Sequence, residues 1–250
     1  MSKYTDAQLR ELLTIERFPR SSTYDPAWQI ANHMGPNVLW LTEFVCEAVN
    51  LQPGMRVLDL GCGKAMSSVF LAREFDVQVW ATDLWIPASD NAQRIREAQL
   101  EDRVFPIYAD ARELPFPDDF FDAIVSMDAY HYFGTDDMYL PSLVRLLKPN
   151  GPIGIVVPGL EHEIDALPDN WDWDFCAFHT PEWWRRHWAI TRCVNVTVAD
   201  RLPHGRDLWL LWDDVTSYEA EHLTGPGGDN LGFTRVIAHK LGTEPGPSVP

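Results

Sequence analysis

Residues 57–65 read VLDLGCGKA, a short apolar run that ends in an acid and breaks at once into a glycine-rich turn. A buried strand that delivers Asp59 to its carboxyl end, then turns through Gly61 and Gly63 into a helix, builds a crevice of nucleotide size. Glycine lets the backbone pass close to a ligand because no Cβ intervenes. The acid ahead of the glycines narrows the choice of ligand, since a carboxylate there repels a pyrophosphate and welcomes an ammonium group.

Outward from this turn, short runs rich in Val, Ile and aromatic residues mark strands at 56–60, 78–82, 104–108, 123–127 and 153–157. Helical periodicity fills 66–74, 89–99 and 136–147, and 148–151 (KPNG) stops the last of these. Strands alternating with helices imply parallel pairing and a doubly wound α/β sheet, with its ligand crevice at the carboxyl ends of the strands. Upstream, 6–18 and 35–50 have helical spacing. Downstream, 161–179 has no clean period and reads as an aromatic-rich insertion over the sheet's carboxyl edge. Thr180 and Pro181 then start a helix as N-cap and first helical residue. Strands at 194–198 and 233–240 and a helix at 208–223 complete a mostly parallel, seven-stranded sheet. The expected organisation is one domain over 1–250: a helical cap (1–50), a core (51–158), a late insertion with sheet completion (159–241) and a flexible tail (242–250).

The formal net charge of −17 argues against DNA or RNA as partner, because nucleic-acid binding rests on clustered Lys and Arg. Four cysteines lack the paired spacing of a zinc site or a disulfide framework. No apolar stretch is long enough to span a bilayer, so the expectation is a cytoplasmic protein with no membrane partner and no metal, as a monomer or homodimer. The chain carries 11 Trp, which must be shared among core, pocket and interface.

Acids stand at the ends of successive strand candidates: Asp59, Asp83, Asp110 and Asp128. A parallel sheet brings all four to one rim. Asp83 is followed by Leu84, Trp85 and Ile86, which offer no basic partner for a phosphorylated ribose, and Met66 stands where a dinucleotide fingerprint needs glycine.

With VWATDLW, IYADARELPF, FDAIVSMDAYHYF and LKPNGPIGIVVP following VLDLGCGKA in order, residues 55–157 resemble the class I S-adenosylmethionine-dependent methyltransferases, in particular their small-molecule branch. The resemblance implies the Rossmann-like fold of that family and S-adenosylmethionine as cofactor, with S-adenosylhomocysteine as product. It implies that Asp59 and the backbone of Gly61, Cys62 and Gly63 hold the amino-acid end, Asp83 both ribose hydroxyls, and Leu84 and Trp85 the adenine. Asp110 and Ala111 would meet the adenine amino group, and Ser126 completes the expected cofactor set. The family's frequent third glycine is Ala65 here, an alanine that asks only for slightly more room.

Methyl transfer is an in-line displacement, so positioning and exclusion of water supply much of the catalysis. His131, after the fourth strand, is the candidate base or orienting group, alongside a structural role in its loop. Tyr24 and Trp28 from the cap, Tyr130 and His131, and Trp171 and His179 from the insertion are the expected substrate contacts. Two aromatic flaps of this kind suit a cationic or planar aromatic small molecule. The alternative is a non-catalytic sensor or scaffold that binds S-adenosylmethionine.

Overall fold

The computed structural model describes residues 3–217 and 221–242. Helices α1 (Asp6–Leu13), α2 (Pro26–Asn32) and α3 (Val38–Cys46) precede strand β1 (Arg56–Leu60). The core continues through α4 (Met66–Phe75), β2 (Gln78–Asp83), α5 (Ala88–Glu97), β3 (Val104–Tyr108), β4 (Ala123–Met127), α6 (Tyr139–Val144) and β5 (Pro152–Leu160). After the insertion come α7 (Pro181–Ile190), β6 (Val194–Arg201), α8 (Gly205–Thr216), α9 (Glu221–Thr224) and β7 (Leu231–Lys240).

Among the described residues the strands form one seven-stranded sheet in the order β3-β2-β1-β4-β5-β7-β6. β1 to β5 pair in parallel, and β7 enters antiparallel between β5 and β6. The strand order reverses between β1 and β4, so the crevice opens at the carboxyl ends of these two strands. Both faces are covered. The cap helices, α4 and α8 pack on one face, α6 and α7 on the other, where Trp184 and Trp188 are fully buried.

The expected seven strands are all present, and the differences lie in the helices. The 6–18 helix stops at Leu13, where Thr14 turns extended; Phe18 still reaches the core from the following turn, which kept the apolar period running past the break. Helix α2 was not foreseen, although Asp25 caps it and Pro26 opens it, the same device as Thr180 and Pro181 at α7. The 208–223 helix ends at Thr216, with Ser217 in the left-handed region at φ 59°; residues 218–220 lie outside the described residues, and α9 follows. Of the tail expected at 242–250, residues 243–250 also lie outside them.

Candidate functional site

The loops after β1 and β4 meet at the point of strand-order reversal. Gly61 has φ +74°, and a Cβ there would stand 2.3 Å from the Cβ of Ala129. Only glycine allows this approach. Ala65 also adopts a left-handed conformation, φ 62°, as N-cap of α4. The missing third glycine is therefore a matter of backbone conformation as well as of room.

The N–H groups of the turn are already engaged. Gly61 and Cys62 donate to the Thr82 carbonyl, and Gly63 donates to Asp83 Oδ2 at 2.8 Å. Its carbonyls are partly engaged as well, Cys62 accepting from the Ala65 N–H and Gly63 from the Asn91 amide at 2.9 Å; each of these oxygens keeps a second acceptor position, which suits an ammonium group. Asp83 Oδ1 accepts from the N–H groups of Trp85 (2.7 Å) and Ile86 (2.9 Å), so three of its roughly four acceptor positions are taken. One position on Oδ2 is left open, where the two ribose hydroxyls expected of Asp83 would need two.

A cavity of about 200 Å³ opens at this rim. Gly61, Cys62, Gly63, Asp83, Leu84, Trp85, Asp110 and Ala111 line it. Leu84 and Trp85 are 43% and 65% exposed, apolar surface at the mouth of a cavity and available to a planar ring. The Tyr132 ring lies 5.2 Å from that of Trp85. Asp110 is held by the Arg112 N–H at 2.8 Å.

Two residues of the expected cofactor set are placed elsewhere. Asp59 is fully buried and does not line the cavity. Its Oδ2 accepts the hydroxyls of Ser67 and Ser68, both at 2.6 Å, so it ties the first turn of α4 to β1, where a carboxylate is also favoured by the helix dipole. Ser126 is likewise fully buried, and its hydroxyl donates to the Leu60 carbonyl at 2.7 Å. Strand periodicity locates both residues near the rim without telling whether they face the cavity or the layer beneath.

A second chamber of about 280 Å³ adjoins the first. The segment 33–36, Asp128 and Tyr132 line both. His131 lines the second chamber, 3% exposed, with its Nδ1 unpartnered, and burial holds its imidazole neutral, down to about 3. The remaining expected substrate residues do not line either chamber. Tyr130 is fully buried among Tyr139, Trp184 and Trp188. Tyr24 packs on Phe70 and donates to Glu74, and Trp28 packs on Tyr24. Trp171 packs against Phe175. His179 stacks on Trp183 and pairs with Glu163. Their neighbours reach the chambers instead: His33 and Met34 from the cap, Phe175 and Phe178 from the insertion.

Asp128, expected on the rim without a role, and two residues not expected there, Asp213 and Trp212, stand out in the structure. Asp128, at the junction of the chambers, has φ 54°, and burial raises its carboxyl to about 8. Asp213 on α8 is 7% exposed with Oδ2 unpartnered, and burial raises it to about 7. Trp212 beside it is fully buried, and its Nε1 donates to the Gly35 carbonyl at 2.8 Å. The position of Asp128 after a strand was a legible cue. Asp213 and Trp212 lie in an ordinary amphipathic helix, and nothing local distinguishes them.

These raised carboxyls make stability depend on pH. An acid whose pKa is higher folded than unfolded holds its proton in the native state while the unfolded chain releases it, so stability falls as pH rises between the two values. For Asp128 that window runs from about 4, the unfolded carboxylate range, to about 8. Asp59, raised to about 6 by burial, and Asp213 act in the same direction. Thermal melting of the free protein is expected to decline from pH 5.5 to 8.5, and Asp128→Asn to flatten that decline. Parallel melting curves for the two proteins would remove the assignment.

Residues 57–151 match a family model described as a methyltransferase domain. The chain is 29% identical over 164 residues to the methyltransferase GfsG of Streptomyces halstedii, covering 65% of this chain and 56% of that protein. Its structure is similar, with a TM-score of 0.71 at 19% identity, to Haemonchus contortus phosphoethanolamine N-methyltransferase 2 solved with S-adenosyl-L-methionine, covering 94% of this chain and 60% of that one. The cyclase SpnF is similar at a TM-score of 0.67 and 21% identity, covering 84% of each chain. At these identities the structural likeness concerns the fold alone. The chain spans about half the length of the curated relatives it matches.

Proposed function

We propose that this chain, which belongs to the class I S-adenosylmethionine-dependent methyltransferases, transfers a methyl group from S-adenosylmethionine to a small-molecule acceptor. The observation that carries this reading is the pair of adjoining chambers, with Asp128 and the segment 33–36 as their shared wall. The first has the acceptor groups and apolar flanks of a nucleoside amino acid, and the second has room for a separate molecule.

In the first chamber Asp83 accepts from the ribose, Leu84 and Trp85 flank the adenine, and Asp110 and Ala111 meet its amino group. The carbonyls of the glycine turn accept from the ammonium. Lys64, which lines the chamber and reaches the His33 carbonyl at 3.2 Å, would supply the cation for the cofactor's carboxylate. When bound, S-adenosylmethionine supplies an electrophilic methyl on a sulfonium. The residues of the chain hold the acceptor in line with it and keep water away. Each chain holds both chambers, so a monomer suffices and a homodimer is compatible.

Among the described residues no helix is long and apolar enough to cross a membrane, and the four cysteines are unpaired, as in a reducing compartment; we read the protein as cytoplasmic. The test has two arms. Calorimetry is expected to detect S-adenosylhomocysteine binding, and incubation of the protein with methyl-labelled S-adenosylmethionine and a metabolite extract is expected to yield a labelled small molecule. Binding without any labelled product would instead favour the sensor.

A further inference from the structure

Building on the transfer reading above, we infer that the second chamber selects an amine carried as an ammonium ion, and that Asp128 takes its proton before the nitrogen is methylated. The chamber is ringed by carboxyl groups from three parts of the chain: Asp128 after β4, Asp172 and Asp174 in the insertion, and Asp213 on α8. Among the described residues no Lys or Arg lines it. A phosphate, carboxylate or phenolate would enter a negative field with no counter-charge, a juxtaposition that is strongly unfavourable in a partly dry site.

Two independent features show that this is a built site and not a solvated acidic patch. Asp213 Oδ2 and His131 Nδ1 belong to side chains more than nine-tenths buried, line the chamber, and have no partner in the protein. Buried polar atoms are nearly always paired, so an unpaired acceptor on a chamber wall asks for a donor from the ligand. Among the described residues no group of three or more His, Cys, Asp or Glu is disposed to hold a metal ion, which leaves an organic cation as the matching charge. Phe178 and Trp209 supply apolar and π faces beside the carboxyls, a setting that favours a cation on a hydrophobic stem. His131 and His222 add no positive charge, since burial lowers both.

Asp128 is the acid that touches both chambers. Entry of the ammonium releases to solvent the proton that Asp128 holds in the free protein, and the ammonium N–H proton then passes to the resulting carboxylate. The nitrogen lone pair so freed forms the N–C bond to the methyl carbon as the C–S bond breaks, and the sulfur keeps the electron pair. The products are a methylated ammonium, a protonated Asp128 and a neutral thioether. A carboxyl raised by burial is nearer in basicity to an amine than an exposed one, so this transfer is less uphill.

Calorimetry on protein saturated with S-adenosylhomocysteine tests the assignment, with 2-phenylethylamine, 2-phenylethanol and phenylacetate as probes of one shape and three charges. The amine is expected to bind about tenfold or more tighter than the alcohol, and the carboxylate not at all. Asp213→Asn is expected to weaken amine binding about 30-fold or more, the scale for losing one partner of a buried charge pair, while S-adenosylhomocysteine affinity holds, because Asp213 does not line the first chamber. Equal or better binding of the alcohol or carboxylate overturns the inference, as does failure of all three to bind at millimolar concentration, or a preference that survives Asp213→Asn. If S-adenosylhomocysteine itself does not bind, the transfer reading fails separately, and the same titrations on the free protein still decide the charge preference.

Discussion

Asp83→Ala is expected to weaken S-adenosylhomocysteine binding about 100-fold or more, the equivalent of losing one charge-assisted hydrogen bond toward the upper end of about 1.5–3 kcal/mol. Two effects combine. The carboxylate loses its ribose contact, and the turns it ties together lose their anchor, since Gly63, Trp85 and Ile86 all donate to it. Asp83→Asn restores only part, because its amide nitrogen would face one of these N–H donors. Calorimetry reads the effect, with a melting curve to establish that each variant is folded. Affinity within about threefold of the unsubstituted protein, well under the cost of even one such bond, would remove Asp83 from the cofactor site.

Trp212→Ala is expected to cost about 3–5 kcal/mol of stability, the usual range for deleting a large buried aromatic. For a chain of this size that lowers the melting temperature by about 6–20 °C. Trp212 is fully buried, packs edge-on against Trp40 at 5.9 Å and His33 at 6.2 Å, and bonds the Gly35 carbonyl. It therefore pins α8 to the segment 33–36, the wall shared by the two chambers. Cofactor affinity is expected to fall with stability, because that wall loosens. Trp212→Phe keeps much of the packing and leaves the Gly35 carbonyl unpaired, so it should fall between the two. A melting point unchanged within about 2 °C, under the shift expected from 1 kcal/mol, would mean that the cap is held by other contacts.

The fold was legible because each strand of the parallel core is a short apolar run bounded by turn residues. The glycine turn and the strand-end acids were legible for a related reason: in a parallel sheet every carboxyl end lies on one rim. The reading lost ground wherever the side chain's direction mattered. Asp59 and Asp83 both lie near the carboxyl ends of neighbouring strands, yet Asp59 binds Ser67 and Ser68 beneath the cavity while Asp83 lines it. In the aromatic flaps the residues that line the two chambers are neighbours of the expected ones. Tyr24 and Trp28 share a stretch with His33 and Met34, but Tyr24 packs on Phe70 and Trp28 on Tyr24, while the last two lie at the crevice.

The sequence by itself determined the sheet, the position of the crevice and the kind of cofactor, because local features determine all three: apolar runs, a glycine turn and acids without basic neighbours. The second chamber was decided by tertiary structure alone. Asp128, His131, Phe178, Trp209 and Asp213 come from the segment after β4, the insertion and α8, and no local spacing links these three parts of the chain. Their burial in one place raises the carboxyls, keeps the imidazole neutral and leaves acceptor atoms without partners. Desolvation is a property of the assembled fold, and it turns scattered acids into a site for a cation.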